Sequence, residues 1–82
     1  MEKYSVTIKN TSGIDAKMAQ NIVKRASDFE AEMILKYSGK DVDLKSILGI
    51  MSLAVLDGAE IEITAKGVDA KDAIDAIREM VK

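Results

Sequence analysis

Apolar and polar residues alternate along four short stretches of the chain, which is the pattern of β-strands that bury one face. The alternation predicts strands over residues 3–9, 32–37, 40–44 and 59–66. Ile34 departs from it, because this apolar residue falls on the side of its strand that otherwise carries charges. Clusters that contain glycine predict turns at 10–13, 38–39, 57–58 and 67–68.

Two longer stretches repeat their apolar residues at the spacing of an α-helix. The first begins at Asp15. The second begins after Asp69, which we expect to cap it, with Asp72 completing an approximate capping box. The residues predicted to face the core are Ala16, Ala19, Ile22, Val23, Ala26 and Phe29 in the first helix, and Ala70, Ala73, Ile74, Ile77, Met80 and Val81 in the second.

A third, short helix is predicted after Ser46 and is expected to end near Leu56. Ser46 stands where an N-cap belongs, since a serine oxygen can accept a free backbone N–H of the following turn. The apolar residues that follow cover nearly the whole circumference of so short a helix. They are Ile47, Leu48, Ile50, Met51 and Leu53. Either the helix is wholly buried behind a capping serine, or part of it forms an exposed docking patch.

The predicted elements follow in the order β-α-β-β-α-β-α. Because every strand has a single apolar face, we expect helices to cover one side of the sheet and the other side to be exposed to solvent. The prediction is an α+β fold, a two-layer open-faced β-sandwich whose helices cover one face of a four-stranded, mainly antiparallel sheet. The 82 residues suffice for one domain, residues 1–82.

Composition excludes several function classes. A net charge of −2 and only three aromatic residues provide neither the basic field nor the stacking surface that nucleic acid requires. No apolar run approaches the roughly 18–20 residues of a membrane span. The first residues lead directly into a strand and do not resemble a signal peptide. Together with the absence of cysteine, this predicts a cytoplasmic protein.

Histidine is also absent, so no imidazole is available as a general base, phosphoryl acceptor or metal ligand. Any chemistry would depend on carboxylates, hydroxyls and lysines, and we expect neither an enzyme nor a cofactor. The pairs Asp41–Asp43 and Glu60–Glu62 share strand faces and could hold a divalent cation weakly. They fit solvated charges that discourage aggregation better, and we predict no metal site.

The polar face of the first helix offers a further surface. It carries Lys17, Gln20, Asn21, Lys24 and Arg25. Such a face is either simply solvated or attracts acidic partners. Asp15, at the start of this helix, belongs to the residue types that cap helices best.

Two segments resemble the HPr phosphocarriers of the bacterial sugar phosphotransferase system. Residues 45–53, KSILGIMSL, align without a gap with the family segment KSIMGVMSL, and residues 13–19, GIDAKMA, align with the family motif G-[IL]-H-A-R-P-A. Residues 37–40 and 57–61 are also similar to family segments, so the resemblance spans nearly the whole chain. It implies the HPr fold and a protein that is not an enzyme.

The second motif differs from the family at its chemical positions. The family histidine that carries phosphate corresponds to Asp15, the arginine beside it to Lys17, and the proline to Met18. Lysine offers phosphate a point charge where arginine offers a bidentate fork. The resemblance therefore implies a degenerate active-site position at Asp15 and Lys17, without a phosphohistidine relay.

The serine motif is intact. In Gram-positive members, the HPr serine kinase/phosphorylase modifies the serine that corresponds to Ser46, and the product acts as corepressor for a LacI-type catabolite repressor. A sister branch, Crh, keeps that role with glutamine in place of the histidine, and this sequence resembles it in having lost the histidine. The resemblance implies a regulatory protein of carbon catabolite repression, with phosphotransferase system enzymes as possible further partners.

The docking residues implied by the resemblance are Ile47, Leu48 and Met51, with Gln20 and Lys24 on the first helix. Two alternatives remain open. Asp15 could accept phosphate as an acyl phosphate, because aspartyl phosphates form in proteins. Asp15 could instead be a fixed mimic of the phosphohistidine charge in an adaptor that binds constitutively. Phosphate on Ser46, on Asp15 or on neither residue separates the three hypotheses.

Overall fold

A computed structural model describes residues 1–81, and the seven elements occur in the predicted order. The strands are β1 (Glu2–Thr7), β2 (Glu32–Tyr37), β3 (Lys40–Asp43) and β4 (Glu60–Lys66). The helices are α1 (Ala16–Ala26), α2 (Ile47–Ser52) and α3 (Ala70–Val81). Within residues 1–81, none of the helices has both the length and the apolar character needed to cross a membrane.

The four strands form one sheet in the order β1-β4-β2-β3, and all three pairings are antiparallel. Val6 lies opposite Ile61, and Leu35 lies opposite both Ile63 and Val42, so the apolar residues of the four strands, apart from Ile34, share one face. This confirms the α+β fold with an open-faced antiparallel sheet that the alternation predicts.

The core lies between this face and the helices. Its fully buried large side chains come from both layers. They are Ile8, Met33, Leu35, Leu44, Ile61 and Ile63 from the strands and the residues next to them, and Ile22, Ile50 and Ile77 from the helices. No polar or charged side chain among residues 1–81 is buried, so the core is held by apolar burial alone.

The open face of the sheet carries the polar residues. Lys3 lies 4.0 Å from Glu62 across two neighbouring strands. Ile34, expected to face outward, is half-buried and lies opposite Thr64. No group of three or more acidic or other metal-ligating residues that could hold a metal occurs within residues 1–81.

Helix α1 differs from its predicted apolar stripe at both ends, and helix α3 differs at its last turn. Helix α1 ends at Ala26, so Phe29 lies beyond it in the following loop, where it is half-buried. Ala16, predicted to face the core, is exposed in the first turn of α1, and Met80 is 39% exposed in the last turn of α3. The spacing gives the direction of a side chain but not whether a neighbour covers the end of its helix.

Helix α2 ends at Ser52 and not near Leu56, because Ala54 adopts the left-handed conformation with φ 51°. Strand β1 stops at Thr7, although Ile8 continues the alternation, is fully buried and donates its N–H to the Ala59 carbonyl. The other strand ends agree with the prediction to within one residue.

Candidate functional site

Ser46 lies between β3 and α2, and Asp43 shapes the turn that leads to it. The Asp43 carbonyl accepts the Ser46 N–H at 3.0 Å, and its carboxylate accepts the Lys45 N–H at 2.9 Å. The Ser46 hydroxyl oxygen in turn accepts the Gly49 N–H at 3.0 Å. Ser46 is therefore the N-cap of α2, as its sequence position predicts, and its side chain is half-buried rather than sealed inside.

Gly49 leaves room beside this hydroxyl. A Cβ atom at position 49 would lie 3.2 Å from the Ser46 hydroxyl oxygen and 3.3 Å from Val42 Cβ. Both separations are tighter than ordinary van der Waals contact, so a larger residue would crowd the serine. The glycine within the KSILGIMSL segment thus preserves the geometry of the Ser46 cap.

The apolar residues of α2 divide between the core and the surface. Ile50 is 1% exposed, whereas Leu48 is 84%, Ile47 40% and Met51 38% exposed. The alternative that α2 is wholly buried is therefore wrong. Ile47, Leu48 and Met51 form a group that we call the α2 patch, and it begins one residue after the Ser46 hydroxyl.

Gln20 and Lys24 are both exposed on α1, which packs beside α2. Asn21 lines a cleft on the side of α1 that faces α3. Successive helix residues are about 100° apart, so Gln20 lies further round α1, away from this cleft. Lys24 lines a smaller cleft together with Asn21 and Met80, on the same α3 side. The structure therefore brings Lys24 toward α3 rather than toward α2.

Asp15 and Lys17 lie at the start of α1. The Asp15 carboxylate accepts the Met18 N–H at 2.8 Å, and its carbonyl accepts the Ala19 N–H, so Asp15 is the N-cap of α1 as its residue type predicts. Asp15 is half-buried, and Lys17 is exposed. Both residues line a cleft of about 360 Å³ between α1 and the last turn of α3. Asp15 and Ser46 therefore cap two different helices.

The expected capping box at α3 does not form. Asp69 directs its carboxylate away from its own helix, to the Glu30 N–H at 2.9 Å and the Ala31 N–H at 2.8 Å. The hydrogen bond from Glu30 in particular lowers the pKa of Asp69 below its usual value of 3.8, and the positive charge of Lys45 contributes in the same direction. The partner of Asp69 is a loop distant in sequence and not Asp72.

Sequence reasoning also missed the role of Lys45. Its ammonium donates to the Phe29 carbonyl at 2.7 Å, so the residue before Ser46 is fixed to the loop after α1. This bond joins residues 16 positions apart and has no local sequence signal. It leaves Ser46 flanked by one anchored residue and by the exposed Ile47.

Comparison with known proteins adds the following findings. The PTS-HPr family model, described as the PTS HPr component phosphorylation site, matches residues 3–82. HPr-C-His from Thermoanaerobacter tengcongensis is similar in structure, with a TM-score of 0.95 and 36% identity over 99% of this chain and 91% of that one. The phosphocarrier protein HPr from Bacillus anthracis is similar with a TM-score of 0.92 and 37% identity over 99% and 96% of the two chains.

The catabolite repression protein Crh from Bacillus subtilis is also similar. It has 34% identity and a TM-score of 0.78 over 98% of this chain and 92% of that one. That structure of Crh is a domain-swapped dimer.

Proposed function

Because this chain belongs to the HPr family of phosphotransferase-system phosphocarriers, which are not enzymes, we propose that it is a Crh-like regulatory protein. In this proposal, residues 1–82 act as one cytoplasmic domain whose signal is phosphorylation of Ser46 by an HPr serine kinase/phosphorylase. The phosphorylated form acts as corepressor for a LacI-type catabolite repressor. The observation that supports it best is the half-buried Ser46 hydroxyl next to the exposed α2 patch.

The absence of histidine supports a regulatory role over phosphate transfer. The 82 residues contain no imidazole, and the position of the family histidine holds Asp15, whose carboxylate caps α1. No ring nitrogen is available to carry a phosphoryl group. Of the two family motifs, only the serine segment keeps its chemistry.

The environment of Ser46 is compatible with a phosphate. The first turn of α2 contains no acidic residue that would repel it. The Gly49 N–H, which now donates to the hydroxyl, can donate to a phosphate oxygen instead. A phosphate adds a charge of about −1.5 to −2 directly beside Ile47 and Leu48. A partner that presents a basic side chain next to an apolar groove would distinguish the two forms.

The proposed docking surface consists of the α2 patch with Gln20 and Lys24. Leu48, at 84% exposure, is the side chain with the most apolar surface to offer a partner. Apolar side chains supply most binding energy at interfaces, whereas exposed charges such as Lys24 chiefly guide the approach of the partner.

Phosphorylation tests the proposal directly. The chain is incubated with ATP and an HPr serine kinase/phosphorylase, and the modified residue is located by mass spectrometry. We expect one phosphate on Ser46 in the wild type and in Ser52→Ala, and none in Ser46→Ala. Binding to a LacI-type catabolite repressor, measured by calorimetry, should strengthen at least about tenfold on phosphorylation, as one charge-assisted hydrogen bond provides. Phosphate elsewhere, or equal binding of both forms, contradicts the proposal.

A second labelling experiment and the same binding measurement separate the two alternatives. An Asp15 phosphocarrier would take label from the first enzyme of the phosphotransferase system, and Asp15→Ala would not. A constitutive adaptor would bind its partner equally with and without phosphate. Asp15 is engaged as a helix cap. Since no metal-ligating group of three or more residues occurs within residues 1–81, nothing described there supports magnesium-assisted transfer. Other phosphotransferase system enzymes are proposed as further partners through the α2 patch.

A further inference from the structure

The cleft between α1 and α3 is a second potential site, separate from Ser46 and the α2 patch. Its volume is about 360 Å³, within the roughly 300–1,000 Å³ that is usual for small-molecule sites. It opens between the start of α1, the residues that follow β1, and the last turn of α3. None of the residues that line it belongs to the segment from Asp43 to Leu53.

The charged lining of the cleft is mainly cationic. Lys9, two residues after β1, and Lys17, in the first turn of α1, both line it. Neither ammonium group has a hydrogen bond or an ion pair with any part of residues 1–81. The acidic residue in the lining, Asp15, already accepts the Met18 N–H. Two unpartnered cations against one engaged carboxylate leave the cleft with a net positive charge.

The lining of the cleft also has an apolar, adaptable part. Met18 of α1 and Met80 of α3 line it, and methionine side chains adjust their shape to an irregular neighbour. Asn10 positions the first of them, because its amide donates to the Gly13 carbonyl at 2.7 Å and lies 3.8 Å from the Met18 sulfur. Met80 is 39% exposed where the helical pattern predicts burial, so it has apolar surface available to cover a ligand.

We propose that this cleft binds a small organic anion. The negatively charged head group lies between the Lys9 and Lys17 ammonium groups, and the apolar body of the ligand packs against Met18 and Met80. A carboxylate and a phosphate monoester share this chemistry. The proposal does not depend on phosphorylation of Ser46, which lies outside the cleft.

Titration of the 82-residue chain labelled with ¹⁵N and ¹³C, followed by NMR, tests the proposal. The probes are phenyl phosphate, benzoate, inorganic phosphate and benzyl alcohol. We expect saturable shifts at Lys9, Lys17 and the Met18 and Met80 methyl groups with at least one aromatic anion. That anion should bind about tenfold more tightly than inorganic phosphate or benzyl alcohol, because only it uses the lysines and the methionines together. The tighter of the two aromatic anions identifies the preferred head group.

Three outcomes would overturn the proposal. Saturation by inorganic phosphate at the same concentrations would show a simple charge effect. Equal binding of benzyl alcohol would show that the lysines do not contribute. Shifts that do not saturate, or that map to α2, would show that the cleft is not a site.

Charge-removing variants show whether the lysines act locally. Lys9→Gln and Lys17→Gln should each weaken binding of the aromatic anion about tenfold, as expected when one charge-assisted hydrogen bond is lost. Both residues are exposed, so the fold should persist, and the NMR spectrum verifies that. The matched control is Lys66→Gln, an exposed lysine at the end of β4 outside the cleft. An equal loss in the control would indicate diffuse attraction and reject the proposed site.

Discussion

The carboxylate of Asp69 accepts a 2.8 Å hydrogen bond from the backbone N–H of Ala31, a residue 38 positions earlier in the chain. Its second oxygen accepts the Glu30 N–H at 2.9 Å. The backbone beside it is equally close, since a Cβ atom at Gly67 would lie 2.9 Å from Ala31 Cα. The start of α3 is thereby fixed to the loop that enters β2.

This contact predicts a specific dependence of stability on pH. The hydrogen bond from Glu30 lowers the pKa of Asp69 in the folded chain below its usual 3.8, so the unfolded chain binds a proton more readily. The stabilisation is complete above the unfolded value and is lost as the pH falls through the lowered folded value. Asp69→Asn should be less stable than the wild type at pH 7, and the difference should shrink below about pH 4.

Urea unfolding at a series of pH values between 7 and 2.5 measures this difference. Asp41→Asn is the matched control, because Asp41 is exposed on β3 and has no hydrogen bond or ion pair within residues 1–81. Its stability relative to the wild type should change little at pH 7. A difference for Asp69→Asn that stayed constant down to the lowest pH would contradict the assigned role of its carboxylate.

The features that the sequence predicts correctly are local ones. The caps at Asp15 and Ser46 each depend on a bond to a residue three positions away, and residue type and position suffice to predict it. The Asp69 contact and the bond from Lys45 to Phe29 join segments that only the folded chain brings together. A capping pattern in the sequence therefore predicted the wrong partner for Asp69.

Gly13 should be far less tolerant of substitution than Gly58. Both have positive φ angles, 64° and 88°, but a Cβ at Gly13 would lie 2.1 Å from the Val55 carbonyl oxygen, whereas nothing lies within 4 Å at Gly58. Gly13→Ala should cost roughly 2–4 kcal/mol of stability, through the strained backbone and the clash together. Gly58→Ala should cost about 1 kcal/mol from the backbone alone. Chemical denaturation measures the free energy of unfolding of both variants. Equal losses of stability in the two would contradict the clash at position 13.

Ala54 ends α2 in the left-handed conformation, which favours glycine. Ala54→Gly should therefore stabilise the chain by about 0.5 kcal/mol, the balance of relieved strain and the greater entropy of an unfolded glycine. The same substitution in the interior of α3, Ala76→Gly, should destabilise it by about 1 kcal/mol. In thermal unfolding, Ala54→Gly should therefore raise the Tm and Ala76→Gly should lower it. A loss in both variants would mean that Ala54 is not strained.

The capping role of Ser46 is separable from its proposed modification. Ser46→Ala removes the acceptor for the Gly49 N–H and should cost about 1 kcal/mol. Ser46→Asp restores an acceptor and should stay within about 0.5 kcal/mol of the wild type, since both residue types cap well. Ser5→Ala, at an exposed position on β1, serves as the control and should change little. Equally large losses for Ala and Asp at position 46 would reject the cap.

The periodicity of α2 could show that some of its apolar side chains must be exposed, but not which ones. Five apolar residues on six helical positions and a cap leave no polar face to orient the helix. The orientation is decided by the tertiary contact of Ile50, which is buried in the core, and this places Leu48 outside. The sequence of such a helix therefore does not determine which of its apolar residues face outward.

Leu48 and Ile50 should separate binding from stability. Leu48 is 84% exposed, so Leu48→Ala should change stability by less than about 0.5 kcal/mol. Ile50 is 1% exposed, and Ile50→Ala should cost roughly 2–5 kcal/mol because it opens a cavity in the core. Urea denaturation of the two variants measures this contrast.

Leu48 should matter for binding to the repressor, although it should matter little for stability. If the α2 patch docks on the repressor, Leu48→Ala in the phosphorylated chain should weaken binding at least about tenfold, the usual effect of truncating a central apolar contact. Val68→Ala is the control, because Val68 is 96% exposed in the turn before α3 and belongs to no proposed surface. Calorimetry on both folded variants makes the comparison. Wild-type affinity in Leu48→Ala would remove the α2 patch from the interface and leave the Ser46 phosphate to act through other residues.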